Sequence, residues 1–136
     1  MHAEVFLDTN ILLYAASRAT AERHKRARAR DLLGLDAAGL SVQVLAEFYV
    51  NASDKLKLPE EKVIKVLEAL ENYPVLPISE SMFWTALAIM RRYQISYWDS
   101  AIIAAAAELG CHTLYSEDLS HGQTYNGVRV INPFLD

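Results

Sequence analysis

The stretch Val5-Phe6-Leu7-Asp8-Thr9-Asn10-Ile11-Leu12 constrains this chain more than any other. Val5, Phe6 and Leu7 form an apolar run without a turn residue, which reads as a short buried strand. The run stops at Asp8, and Asn10 to Ala16 then reads as a helix. A carboxylate that ends a buried strand emerges at the mouth of a sheet, and open α/β sheets bind ligands beyond the carboxyl ends of their strands. Asp8 has a second reading: it N-caps the helix by accepting from a free backbone N–H. Both stand until the other acids are placed.

Further along, strand and helix patterns alternate. A helix runs from about Ala21 to Leu33, with Gly34 as its C-cap. Leu40 to Val42 reads as a second strand. From Gln43 to Lys57, Val44, Leu45, Phe48, Tyr49 and Ala52 recur at helical spacing and define a core stripe. Pro59 suits the start of the next helix, whose inner face is Val63, Val66, Leu67 and Leu70. Val75 to Ile78, between two prolines, reads as a short strand, and Ser79 caps a helix to about Tyr93. Ser96 opens the most apolar helix, ended by Gly110. Cys111 to Tyr115 and Val128 to Ile131 complete the strands. The alternation argues for α/β with a central parallel sheet of about five short strands flanked by helices.

A chain of 136 residues, 52% hydrophobic and 22% charged, is expected to form one globular domain over residues 1–136. The run Ala101 to Ala107 is too short and too alanine-rich to span a bilayer. No basic region followed by an apolar one opens the chain, and Cys111 is the only cysteine. A reduced thiol in a cytoplasmic protein is the expectation. The net charge of −4 does not advertise a nucleic-acid binder. Yet six of the 13 basic residues fall between Arg18 and Arg30. That stripe, with Arg23, Arg26 and Arg28 at its centre, reads equally as a solvated helix face or as a footprint for a phosphate backbone.

Four acids stand at informative places. Asp8 follows the first strand, Glu47 lies on the helix after the second, Asp99 sits in the first turn of the apolar helix, and Asp118 follows the next strand. Strand ends and helix starts on one edge of a parallel sheet converge. Carboxylates gathered there repel one another unless a cation sits among them, and hard oxygen ligands without a Cys/His cluster point to Mg²⁺ or Mn²⁺. The chemistry that follows is metal-assisted phosphodiester hydrolysis. Each acid also has a plainer explanation: Glu47 as a solvated helix residue, Asp99 as the fourth member of a Ser96-x-x-Asp99 capping box, Asp118 as a turn residue beside the equally acidic Glu117.

His112 and His121 lack a neighbouring Ser or Cys nucleophile in sequence, so a role as general base is disfavoured. Trp84, Tyr93, Tyr97 and Trp98 cluster at helical spacing, and core packing is favoured over base stacking.

Asp8-Thr9-Asn10 after an apolar strand, then Glu47, then Tyr97-Trp98-Asp99-Ser100-Ala101-Ile102 opening a helix, then Ser116-Glu117-Asp118-Leu119 after a strand, resemble in that order a PIN domain. Among PIN proteins the chain is most similar to the VapC toxins of VapBC toxin–antitoxin systems. The single motifs are weak, but the ordered set is specific and covers nearly the whole chain. The resemblance implies an α/β/α sandwich and a Mg²⁺- or Mn²⁺-dependent ribonuclease that cleaves RNA such as tRNA or rRNA and stops translation. It implies a homodimer and a VapB-like antitoxin that covers the acidic site. It places the acidic quartet on Asp8, Glu47, Asp99 and Asp118. Asp8 and Asp99 are then the closest metal ligands, with Thr9, Asn10 and Ser116 in support.

Alternatives remain at this point: a non-toxin RNA-processing nuclease of the same fold, or a binding module that keeps the acids as caps. A dehalogenase-type phosphatase wants Asp-x-Asp where this chain has Asp8-Thr9-Asn10. A receiver domain wants a lysine after the last strand, and Val128 to Asp136 has none.

Overall fold

The computed structural model describes residues 1–135. Its strands are β1 (Val5–Leu7), β2 (Ala38–Ser41), β3 (Val75–Leu76), β4 (Thr113–Tyr115), β5 (Thr124–Tyr125) and β6 (Val128–Ile131). They form one sheet in the order β3-β2-β1-β4-β6-β5. All pairings are parallel except β5 with β6. The helices are α1 (Thr9–Ala16), α2 (Arg23–Leu33), α3 (Val42–Asp54), α4 (Glu60–Ala69), α5 (Glu80–Tyr93) and α6 (Tyr97–Glu108), with a 3₁₀ turn at Thr20–Glu22 before α2.

The sheet has six strands where about five parallel ones are expected from the sequence. The extra strand, β5, is an antiparallel edge. Asn126 and Gly127 turn it back into β6 at φ 52° and 84°, the left-handed pair that a tight hairpin requires. Two residues are too few to show alternation, so only the Asn-Gly turn announces this strand.

β1 lies at the centre. Val5 pairs with Ala38 on one side and Thr113 on the other. Phe6, Leu7, Leu40, Leu114 and Val130 are fully buried, and each such side chain contributes about 1.5–3 kcal/mol relative to exposure. Gly39 is required for close packing, because a Cβ there would meet the Ala3 Cβ at 2.7 Å. Helix α1 packs on α2 and α3; α5 packs on α6, which lies against β2, β4 and β6.

Val44, Phe48 and Ala52 form the buried stripe of α3, whereas Tyr49 is exposed. The tryptophans also depart from the expected core packing: Trp84 is 57% exposed and Trp98 63%. Helical spacing carries them to the outer faces of α5 and α6, while alanines and isoleucines fill the inner face of α6. Ser79 and Ser96 cap α5 and α6 as the sequence predicts, accepting from the N–H of Met82 and Asp99.

Chain order runs outward from β1 through β2 to β3 on one side, and through β4 and β6 on the other. The direction therefore switches between β1 and β4. A crevice at the carboxyl ends of such strands is where open α/β sheets bind ligands.

Candidate active site

Asp8 and Ser116 are the first residues beyond β1 and β4. The Asp8 N–H donates to the Tyr115 carbonyl at 3.0 Å, so the backbone ladder continues into the site. Asp8 is 4% exposed. Its Oδ1 accepts from the Thr9 N–H at 2.7 Å, and its Oδ2 accepts from the Ser116 hydroxyl at 2.7 Å. The capping reading of Asp8 holds: one oxygen caps α1, and the other accepts from Ser116 at the end of the neighbouring strand.

Two of the other acids are held by the residues that follow Asp8. The Thr9 hydroxyl donates to Glu47 Oε1 at 2.8 Å. The Asn10 amide donates to Asp118 Oδ2 at 3.2 Å. The Ser116 hydroxyl oxygen also accepts from the Asp118 N–H at 3.1 Å, fixing the turn that carries Asp118. Asp99 follows the Ser96 cap, whose hydroxyl accepts from the Asp99 N–H at 3.1 Å. Asp8, Glu47, Asp99 and Asp118 therefore come from four separate elements.

Their charges communicate. Burial pushes the Asp8 carboxyl from 3.8 up to about 7; the bonds from Ser116 and Thr9 oppose this, and repulsion from Asp118 and Glu47 adds to it. Asp99 is also raised, by burial first, against the Ser96 bond, and by repulsion from Asp118. Asp118 is the common neighbour of Asp8 and Asp99. Among the described residues, no three His, Cys, Asp or Glu side chains cluster tightly enough to hold an ion by themselves.

Glu117 points elsewhere. Its Oε2 is 2.7 Å from the Lys25 ammonium and its Oε1 accepts from the Tyr14 hydroxyl at 2.6 Å. Burial alone would raise it, but Lys25 and Tyr14 hold it below the usual carboxylate range. Lys25 also lies 4.7 Å from the Tyr14 ring centre. The sequence reading missed Lys25 and Tyr14 because they are 92 and 103 residues from Glu117.

The arginines divide. Arg26 donates to the Ser17 carbonyl at 3.0 Å, Arg30 to the Ala15 carbonyl at 3.0 Å and Arg28 to the Pro133 carbonyl at 3.4 Å, while Arg23 is exposed. His121 accepts the Asn132 N–H on Nδ1 at 3.0 Å, a loop-holding bond. Beside Glu47, an apolar groove of about 470 Å³ runs between α3, α5 and α6, lined in part by Val50, Ile78, Phe83 and Trp98.

The fold and the acids define a class: an α/β domain with Asp8 and Asp118 beyond the ends of β1 and β4, where the sheet's strand order reverses, and Glu47 and Asp99 on flanking helices. Residues 5–126 match the family model of the PIN domain, and the chain belongs to that family. Solved structures agree on the fold. A toxin–antitoxin complex from Klebsiella pneumoniae aligns with a TM-score of 0.70 at 20% identity, covering 96% of this chain and 98% of that one. VapC20 of Mycobacterium tuberculosis, described as a sarcin–ricin-loop-cleaving toxin, aligns with 0.72 at 16%, covering 93% and 99%. The DNA-bound VapBC of Salmonella typhimurium aligns with 0.65 at 19%, covering 94% and 96%. No curated protein matches the sequence. No helix among the described residues is long and apolar enough to cross a membrane.

Proposed function

We propose that the chain is a Mg²⁺- or Mn²⁺-dependent endoribonuclease and the toxin of a toxin–antitoxin pair. The observation that carries this reading is the state of Asp8 within a PIN domain: a buried carboxylate, repelled by Glu47 and Asp118. Such an arrangement costs free energy unless a cation offsets it. The donors fit a hard ion, since Asp8, Glu47, Asp99 and Asp118 offer only oxygen. Mg²⁺ keeps several waters, so Asp8 and Asp99 would suffice as direct ligands, with Glu47 and Asp118 completing the pocket directly or through water.

When bound, the cation supplies the charge that acidifies an attacking water and offsets charge building on the phosphate. The chain's own residues aim the carboxylates. Ser116 and the Thr9 N–H fix Asp8, the Thr9 hydroxyl fixes Glu47, and Asn10 orients Asp118. Each bond removes a rotamer choice before substrate arrives, which is how preorganised sites lower a barrier. In-line attack by water that breaks the bond from phosphorus to the 3′-oxygen leaves a 5′-phosphate and a 3′-hydroxyl.

The toxin assignment is supported by neighbours that are toxin–antitoxin complexes, and RNA as substrate by the neighbour described as cleaving the sarcin–ricin loop. An rRNA or tRNA target is the corresponding substrate class, in the cytoplasm, and inhibition of translation is the consequence. A VapB-like antitoxin would seat an apolar segment in the groove beside Glu47 and so cover the acids. A homodimer of single-domain subunits completes the proposal.

The test is amino-acid incorporation in cells after induction. The wild-type chain halts incorporation within minutes, and a folded Asp99→Asn variant does not. Unimpaired incorporation with folded wild-type protein present would overturn the toxin reading and leave the RNA-processing nuclease or the silent binding module.

A further inference from the structure

The C-terminal end of α1 opens onto a second cleft, of about 700 Å³, between α2 and α4. Five cations line it: Arg18, Arg26, Arg30, Lys62 and Lys65. No Asp or Glu lines it. The salt bridges among the described residues, His2–Glu4 and Lys25–Glu117, include none of the five. A chain with net charge −4 has thus gathered five cations around one concavity, and one carboxylate, Glu22, reaches its edge by accepting from the Ser17 hydroxyl at 2.5 Å.

Two of the five are held in place. Arg26 and Arg30 each spend one N–H on a carbonyl at the end of α1, at Ser17 and Ala15. A guanidinium has five N–H donors, so both keep free donors, with their stems already ordered. The stripe seen in sequence is only half of this feature. Lys62 and Lys65, three residues apart on α4, supply the other wall, and neither Arg23 nor Arg28 lines the cleft.

The cleft and the acids share a helix. Asp8 caps the N-terminus of α1, and Ala15, Ala16 and Ser17 line the cleft at its other end. Eight residues of helix separate them by about 12 Å. A smaller cavity of about 190 Å³, lined by Asn10, Leu13, Tyr14, Glu22, Lys55 and Leu56, lies along the same helix. Asn10 is also the partner of Asp118.

We propose that this cleft is an exosite that grips the phosphate backbone of the RNA substrate a few nucleotides from the scissile bond. The proposal rests on the ribonuclease reading and adds where the polyanion is held. Neutralising phosphates with Lys and Arg releases counter-ions, so the contribution of the site is read in the salt dependence of binding. An acidic peptide is the competing ligand. RNA is favoured because the smaller cavity along α1 reaches Asn10, the residue that holds Asp118 at the proposed catalytic site, so one extended polyanion can occupy both places.

The experiment measures binding of a fluorescent single-stranded oligoribonucleotide across a salt series in EDTA, so that no cleavage intervenes. The triple variant Arg18→Gln, Lys62→Gln, Lys65→Gln spares the two arginines that cap α1. A charge-matched control carries Arg91→Gln, Arg92→Gln, Arg129→Gln. The proposal predicts that the cleft variant loses affinity on the order of tenfold to a hundredfold at low salt. Its slope of log K against log salt becomes shallower by about two, and the control keeps the wild-type slope. Equal losses in both variants would reduce the cleft to net charge, and no loss in the cleft variant would overturn the exosite; either leaves the nuclease reading standing. Loss of poly-L-glutamate binding with RNA binding intact would assign the cleft to an acidic polypeptide and overturn the proposal. If the wild type itself fails to bind RNA at low salt in EDTA, the exosite is overturned, and cleavage in Mg²⁺ or Mn²⁺ decides the ribonuclease reading separately.

Discussion

The Ser116 hydroxyl donates to Asp8 at 2.7 Å and accepts the Asp118 N–H at 3.1 Å, so one fully buried oxygen couples the end of β1 to the turn that carries the last acid. Ser116→Ala leaves Asp8 with the Thr9 N–H alone and frees the Asp118 turn. A buried acceptor that loses its partner costs about 1–3 kcal/mol. Thermal unfolding of the variant should show a loss of that size, and RNA cleavage should fall about tenfold or more. A variant with unchanged stability and rate would remove Ser116 from the account.

Glu117 and Asp118 are neighbours with opposite engagements. Glu117 is occupied by Lys25 and Tyr14, and Asp118 by Asn10 beside the other acids. Asp118→Asn should lower the cleavage rate by two orders of magnitude or more, on the order of what removing a charged transition-state contact costs. Glu117→Gln should keep most of the activity and lower stability by about 1 kcal/mol or less, because the Lys25 pair is partly exposed. The reverse pattern would place Glu117 rather than Asp118 in the metal pocket.

Asp8 makes stability depend on pH in an unusual sense. Its folded pKa of about 7 lies above its ordinary 3.8, so the unfolded chain gives up the proton first. Folding is favoured by protonated Asp8 at low pH, and that advantage is lost as pH rises from about 4 to about 7. In EDTA, Asp8→Asn should therefore be the more stable protein at pH 8, by an amount on the order of a few kcal/mol at most, with the difference vanishing near pH 4. Denaturant titrations at the two pH values check this.

Adding Mg²⁺ or Mn²⁺ at pH 8 should reverse that order. A cation bound only by the folded state raises its stability by mass action. The rise should appear in the wild type and be much smaller in Asp8→Asn. Because the proton competes for the same carboxylate, apparent metal affinity should increase as pH rises through about 7. Identical metal-induced shifts in both proteins would place the ion elsewhere.

The fold was legible where burial and chemistry coincide in short range. The apolar run ending at Asp8, the serine caps at Ser79 and Ser96, and the apolar α6 are local signals, and each specifies its element. β5 escaped because two residues show no period, although Asn126-Gly127 marks its turn. The tryptophans were misplaced because residue type outweighed position: Trp84 and Trp98 fall on the outer faces of helices whose inner faces are already filled. Of the site, residues that follow strands could be picked out, since topology forces them to one edge. What stayed hidden depends on contacts across long sequence separations. Lys25 with Glu117 spans 92 residues, and the basic cleft needs α4 beside α2. Spacing along the chain carries no record of either.

End-group mapping of RNA digested by the purified chain decides whether a metal-activated water cuts the phosphodiester. Mg²⁺ or Mn²⁺ and EDTA are compared, with a folded Asp99→Asn protein alongside. Discrete fragments that need the metal, vanish in the variant, and carry 5′-phosphate and 3′-hydroxyl ends are the expected result. Fragments that persist in EDTA with 2′,3′-cyclic phosphates, or that the variant produces equally, would contradict it.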